Sequence, residues 1–389
     1  MYMTLGFASV LFAVASVAEG TQPISTWLAD SAISRGQGHG LAGSKPKISY
    51  EHGTFQRALT ALYNATGNAT YFNYIQSGID NIISANGTVG GGYKLTNYIL
   101  DDLKVGQSLI QLYAATNDSK YKAAADTFRL QIDSHPRNKA GGFWHKKTYP
   151  NEMWGDGQYM LNPFYAAYTA TFQSTNTSAW SDIALQFNLF EQNARQNTTG
   201  LLYHGYDESK KAVWADNTTG HSPCVWDRAM GWFSMALVDV LDYFPQTHPG
   251  RAQLIGYLQS LAPALKAAAD PKTGAWWLVI SSPGRAGNYF ESSGAAMYVF
   301  SLLKGIRKGY LDKTTFFPVA EKAYQYLNST FIRKATNGTL LWEGTVIVGS
   351  LDGNGTFEYY ISQSVDENDL KGISPMVLAS VEYEQATKL

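Results

Sequence analysis

Apolar side chains recur at helical spacing along most of this chain. Asp101–Thr116, Tyr121–Ser134, Pro163–Phe172, Trp180–Gln192, Arg228–Phe244, Arg251–Ala269 and Ser292–Lys308 all carry that period and are predicted as helices. In Arg228–Phe244 the residues Met230, Trp232, Phe233, Leu237, Val240, Leu241 and Phe244 wrap most of the helix, so it must be buried on several sides. Strand-like pieces are short, at Trp276–Ile280 and Leu340–Ile347. Glycine-aromatic turns separate the helical segments: GGGYKL from Gly90, GGFWHK from Gly141, GLLYHG from Gly200, GAWWLV from Gly274 and GTLLWE from Gly338. Helix pairs repeated in this way suit a closed toroid of hairpins. Five turns and an N-terminal helix pair make about six hairpins, so an all-α (α/α)6 barrel is expected, with an open helical repeat as the alternative. No Pro-rich, Ser-rich or charged linker interrupts the chain, and residues 19–389 are read as one domain.

Composition changes the picture in three ways. The 389 residues are 45% hydrophobic and 16% charged, with a net charge of −1 and no basic block, which argues against nucleic acid or an anionic membrane as partner. An apolar run from Leu5 to Val17, with Ser16 and Ala18 placed for cleavage before Glu19, reads as a signal peptide over residues 1–18. Ten N-x-S/T sequons follow, at Asn64, Asn68, Asn86, Asn117, Asn176, Asn197, Asn217, Asn328, Asn337 and Asn354, and together these point to a secreted, N-glycosylated extracellular protein. Cys224 is the only cysteine, so no intramolecular disulfide can form, and a buried inert thiol is expected. There is no HExxH, no phosphate-cradling glycine loop and no Gly-x-Ser-x-Gly, so neither metal nor cofactor is expected. A monomer is expected.

The chemistry concentrates in Gly141–Pro163, GGFWHKKTYPNEMWGDGQYMLNP. Asp156 stands there between two glycines and two residues after Trp154, with His145 upstream. Aromatic faces suit sugar rings, and a carboxyl is the usual proton-transfer group in sugar chemistry. The bland reading of Asp156 is a helix cap or turn residue. Asp101-Asp102 opens an apolar helical run, where one of the pair could cap the helix and the other face the cavity. In Trp226-Asp227-Arg228, Arg228 shares a helix face with Trp232 and suits bidentate capture of a carboxylate; the bland reading pairs it with Asp227 or Asp239. His204 and His145 are either site residues or solvated loop histidines.

Several stretches resemble glycoside hydrolase family 105, the unsaturated rhamnogalacturonyl hydrolases, and its secreted fungal members in particular. They are GGFWHKKTYPNEMWGDGQYM, GLLYHGYDESKKAVWAD, SPCVWDRAMGWFSMALVDVLDYFP and GRAGNYFESSGAAMYVFSLLKGIRKGYL, with ENDLKGISPMVLASVEYE near the end. The resemblance implies an (α/α)6 barrel. It also implies a hydrolase that removes 4,5-unsaturated galacturonic acid from the non-reducing end of rhamnogalacturonan oligosaccharides, by hydrating the C4=C5 bond. It implies Asp156 as general acid/base and Asp101 as the second aspartate. His145, Trp154, His204, Trp226, Arg228, Trp232 and Tyr50 would bind substrate, with Arg228 on the uronate carboxylate. The acid must be protonated, and desolvation in an aromatic pocket is expected to raise its pKa. Gly155 stands where the family commonly carries Leu, so a wider pocket is expected. Three alternatives share these residues: an unsaturated glucuronyl hydrolase acting on other uronides, an inverting glycosidase on saturated sugars, and a non-catalytic glycan-binding protein.

Overall fold

The computed structural model describes residues 22–388, and the signal peptide expected over residues 1–18 lies outside them. Its helices are α1 (Ile24–Ser34), α2 (Tyr50–Thr66), α3 (Ala69–Asp80), α4 (Gly106–Thr116), α5 (Ser119–Ser134), α6 (Gly155–Phe172), α7 (Thr177–Ala194), α8 (Asp227–Val240), α9 (Pro249–Ala268), α10 (Ser292–Arg307), α11 (Lys313–Phe331), α12 (Phe357–Ile361) and α13 (Leu370–Thr387). A 3₁₀ turn, Asp101–Val105, leads into α4. The helices α2, α4, α6, α8, α10 and α13 pack side by side, and α13 returns against α2 to close the ring. Outside them α3, α5, α7, α9 and α11 each follow their inner partner. This is the expected (α/α)6 barrel.

One detail differs from expectation. The expected N-terminal pair is α2–α3, but the sixth hairpin is assembled from the two ends of the described chain. α1 packs on α13, and Ser25 donates from its backbone N–H and hydroxyl to Glu384 at 3.0 and 2.6 Å. Such a long-range pairing leaves no local periodic signal.

Sequence explains which helices lie inside. Every residue of α8 is buried, as are Ser292–Gly305 of α10, and small residues such as those of Ser292-Ser293-Gly294-Ala295-Ala296 let neighbours approach closely. The outer helices are amphipathic; α11 buries only Phe316, Ala320, Ala323, Tyr324 and Leu327. α6 begins eight residues earlier than expected. Pro163 reads as a helix start but stands inside the element, buried, where it withdraws one N–H from the ladder. Trp276–Ile280 makes isolated bridges rather than a strand, and the Leu340–Ile347 piece divides into Leu340–Trp342 and Thr345–Val346.

The two ends of the barrel are built differently. At one end short turns deliver each outer helix onto a capping side chain: Asn68, Asp118, Asn176, His248 and Asp312 each accept a backbone N–H of the first turn. At the other end lie the long connections, residues 81–100, 135–154, 195–226, 269–291 and 332–369, and every glycine-aromatic turn falls within them. The N-termini of the inner helices converge there, which brings six positive dipole ends to one rim.

Candidate active site

Short strands fix the centre of that rim. Glu152–Trp154 pairs antiparallel with Gly205–Asp207, so that Trp154 lies opposite Gly205, and Gly155 N–H donates to the His204 carbonyl at 2.8 Å. The pairing carries Asp156, in the first turn of α6, onto His204. Asp156 Oδ2 lies 3.1 Å from His204 Nε2, and His204 Nδ1 lies 2.7 Å from the Tyr360 hydroxyl. The Asp156 side chain keeps 15% of its surface exposed, whereas His204 is wholly buried beneath it.

Aromatic rings form the surroundings. His145 and Tyr149 both stack on Trp154, with centroids 4.4 and 4.8 Å away, and Trp154 meets His204 edge-on at 5.5 Å. Trp226 lies 4.8 Å from His204 and stacks on Tyr360 at 5.7 Å. On the next connection Asp101 accepts from Lys146 Nζ at 2.9 Å and stands 3.7 Å from His145 Nε2, while neither aspartate of the pair caps α4. His145 is thus the ring that joins Asp101 to the Asp156 neighbourhood.

The electrostatics correct one expectation. Burial pushes the Asp156 carboxyl up, but the His204 hydrogen bond and the charges of His204 and His145 outweigh it, and the group is held below the ordinary aspartate value in the free protein. Desolvation was anticipated from the aromatic residues; the imidazole bonded to the carboxyl was not. Burial pulls the His145 imidazole down to about 4, so this ring is neutral at neutral pH. Burial first, then repulsion by Asp101, lifts Asp102 to about 7. Burial likewise lifts Glu152 to about 7, while its Oε2 accepts from Trp154 Nε1 at 2.9 Å.

Other candidates are placed less directly. Arg228 is only 1% exposed, and neither Asp227 nor Asp239 forms an ion pair with its guanidinium. Its Nε donates to Ser293 Oγ at 2.7 Å, and Nη2 donates to Glu291 at 3.0 Å and to the Val346 carbonyl. With those two nitrogens engaged, a bidentate grip on a substrate carboxylate is not available. Trp232 is buried one turn below, stacked on Tyr159 at 5.2 Å and touched edge-on by Tyr50 at 6.4 Å, so it supports the floor instead of lining the pocket. Tyr50 occupies the first position of α2 and feels the charges of both Asp101 and Arg228.

Gly155 also reads differently in three dimensions. A Cβ there would lie 2.7 Å from the Ala229 carbonyl oxygen and 3.3 Å from Phe190, so the missing side chain allows α6 to approach α8 and does not widen the pocket. Four site residues escaped the sequence reading. Lys146 and Tyr149 lie inside the singled-out segment, where proximity to His145 was a usable signal. Tyr360 and Glu291 sit in bland contexts, TFEYYIS and YFESSG, with nothing local to mark them. Cys224 is buried and free, with burial lifting its thiol to about 11. Among the described residues no three His, Cys, Asp or Glu side chains are grouped so as to hold a metal ion.

Comparison with known proteins places this geometry. The profile of Glycosyl Hydrolase Family 88 matches residues 28–387. A glycoside hydrolase from family 105 of C. acetobutylicum ATCC 824 superposes with a TM-score of 0.89 at 39% identity, over 94% of this chain and 100% of its own. A possible family 105 member from Klebsiella pneumoniae gives 0.77 at 19% identity, over 98% and 100%. The unsaturated glucuronyl hydrolase of Bacillus sp. GL1 shares the fold at 0.64 and 14% identity, over 93% and 95%. Among curated sequences, Protein Atu3128 of Agrobacterium fabrum is 35% identical over 192 residues, 47% of this chain and 82% of that one.

Proposed function

We propose that this chain, a member of Glycosyl Hydrolase Family 88, is an unsaturated uronyl hydrolase that removes 4,5-unsaturated galacturonic acid from rhamnogalacturonan oligosaccharides. The observation that carries this reading is Asp156, a partly exposed carboxyl over a buried His204–Tyr360 pair. In the reaction Asp156 gives its proton to C4 and water adds to C5, its spare proton returning to Asp156. The resulting hemiketal opens by breaking the C5–O5 ring bond, its hydroxyl proton passing to O5. The hemiacetal thus formed at C1 collapses to an aldehyde, breaking the C1–O bond and passing its proton to the oxygen of the leaving sugar.

Two features support the proton transfer. With Asp156 ionised, His204 Nε2–H donates to it and Nδ1 accepts from Tyr360. With Asp156 protonated, its O–H donates to Nε2 and Nδ1–H donates to the Tyr360 oxygen. A change of tautomer therefore satisfies both states of the acid. A uronate substrate also brings a negative charge close to Asp156 in a site that excludes water, which raises the carboxyl's affinity for its proton and offsets the influence of the imidazoles. The converging helix N-termini and the half-buried ammonium of Lys146, shared with Asp101, favour that anion. Tyr149, the half-buried outer ring of the stack, offers a face to a sugar ring, backed by the buried Trp154 and His145.

We further infer galacturonate specificity and an extracellular setting, the latter supported by the leader and the sequons. Incubating the protein with lyase-generated unsaturated rhamnogalacturonan disaccharide should abolish the uronide absorbance, with no action on the saturated disaccharide. Turnover of the saturated sugar would favour the inverting glycosidase. Faster turnover of an unsaturated glucuronyl disaccharide would move the substrate class. Recovery of the glycosylated protein from culture medium checks the location.

A further inference from the structure

Three buried residues form a unit below the pocket: Asp227 and Glu291 at 0% exposure and Arg228 at 1%. Their hydrogen-bond donors are divided very unequally. Glu291 Oε1 accepts from Arg228 Nη2 at 3.0 Å, Val346 N–H at 3.0 Å and the Ser293 hydroxyl at 2.9 Å; Oε2 accepts from Gly294 N–H and Ser293 at 2.8 Å each. A carboxyl so surrounded is an ionised one. Asp227 has one donor, the Arg228 N–H at 2.8 Å on Oδ1, and its Oδ2 has no partner. Both carboxyls border Gly294, whose N–H is the donor to Glu291 Oε2. Gly294 permits the approach, because a Cβ there would fall 2.5 Å from Asp227 Oδ2.

An unpaired carboxylate in this setting is costly, and two neighbouring carboxylates do not both ionise. We propose that Asp227 is held protonated and donates its hydrogen to Glu291, and that this pair is a positioning unit that sets Arg228 behind the uronate pocket. Burial and the charge of Glu291 push Asp227 well above its ordinary value. Burial also opposes the charge on Glu291, yet Arg228, the Asp227 hydrogen bond and the Gly294 and Ser293 donors bring it below. One shared proton makes the trio neutral. Without it the trio would carry a net negative charge beneath an anionic substrate. The same bonds orient the guanidinium: Ser293 holds Nε, Glu291 and the Val346 carbonyl hold Nη2, and Trp226 lies 5.2 Å beneath. Nη1 alone of the three guanidinium nitrogens makes no hydrogen bond to the described residues. Glu291 thereby joins the starts of α8 and α10 to the Thr345–Val346 strand, three parts of the rim.

The positioning role rests on the uronyl-hydrolase reading, whereas the shared proton does not, and two measurements keep them apart. Infrared difference spectroscopy at neutral pH on the intact protein should show a protonated-carboxyl stretch that Asp227→Asn removes; absence of that band overturns the shared proton. In kinetics on the unsaturated disaccharide, Asp227→Asn should keep kcat/KM within about threefold, because the amide donates to Glu291 as the acid does. Glu291→Gln should raise KM by about tenfold or more with a smaller change in kcat. Equal KM values for the two variants, or losses that only follow the folded fraction, would overturn the positioning role. If Glu291→Gln does not fold, a loss greater than about tenfold in Asp227→Asn still refutes it. If the wild type leaves the uronide untouched, the functional reading fails while the infrared result stands.

Discussion

The barrel's two ends hold similar inventories of buried charge and use them in opposite ways. At the short-turn end Asp239 is bound by Arg57 through two bonds of 3.0 Å, by Lys304 at 2.6 Å and by the Tyr159 hydroxyl at 3.2 Å. Asp242 lies between Lys304 at 2.6 Å and Lys308 at 2.7 Å, and Glu382 takes both arms of Arg307 at 2.6 Å. Lys304 and Arg307 stand in the last turn of α10, where the helix dipole favours cations. At the long-loop end carboxylates sit at helix N-termini, and His145 Nδ1 and Trp226 Nε1 have no partner. Cavities of about 330 and 250 Å³ open at the short-turn end, lined by Arg57 and Asp242 among others, and one of about 450 Å³ opens at the long-loop end beside Glu51, Asp369 and Lys371. Volume alone therefore does not separate the two ends. Polar groups left without protein partners mark the end that meets a ligand, and saturated ion pairs mark the end that holds the ring together.

Substituting the most informative residue at each end should separate these roles. Asp156→Asn should lower turnover of the unsaturated uronide by about 10³-fold or more while the unfolding midpoint stays near wild type. Near wild-type turnover would remove Asp156 from the chemistry. Asp239→Asn should do the reverse. It leaves Arg57 buried without its carboxylate and Lys304 with Asp242 alone, which should reduce stability by about 3 kcal/mol in a denaturant titration. The kcat/KM of its folded fraction should be unchanged, and a matching loss of activity would show that the two ends are coupled.

How much of this was legible in the sequence follows the same division. Helical periods, glycine-aromatic turns and the Asp156 segment are local patterns, and each found its element or its place on the rim. The closing α1–α13 pair, the Glu291 salt bridge and the Tyr360–His204 contact span about 60 to 350 residues of chain, and no window of sequence contains both partners. Arg228 shows the limit most clearly. Its neighbourhood was read correctly, yet the choice of partner among nearby acids depended on how α8 and α10 pack. The electrostatics of Asp156 were misjudged for the same reason, because His204 arrives from another connection.

That misjudgement yields a pH test. Held below the ordinary value in the free protein, Asp156 is ionised at neutral pH, and as a general acid it loses activity as pH rises through its pKa. The profile of kcat/KM reports the free protein and that of kcat the complex. The descending limb in kcat should therefore lie at higher pH than that in kcat/KM, because the bound uronate charge favours the protonated acid. Coincident limbs would mean that substrate does not tune Asp156. Asp239→Asn should leave both limbs in place, since its charges lie at the other end.

The smallest effect expected concerns the seam between the two regions. Gly155 lies at the start of α6, beside the pocket in sequence but facing the backbone of α8 in space. A methyl group there must displace either the Ala229 carbonyl or α6 itself, and backbone yields less readily than the tip of a side chain. Gly155→Ala should thus lower stability by about 1–2 kcal/mol through overpacking. The ratio of activities on unsaturated galacturonyl and glucuronyl disaccharides should not move, because the added carbon points away from Asp156. A changed ratio with undiminished stability would return Gly155 to the pocket wall. The preference for the leaving sugar would then be decided partly by the residue between Trp154 and Asp156, and the rim, not the helix packing beneath it, would explain the glycine.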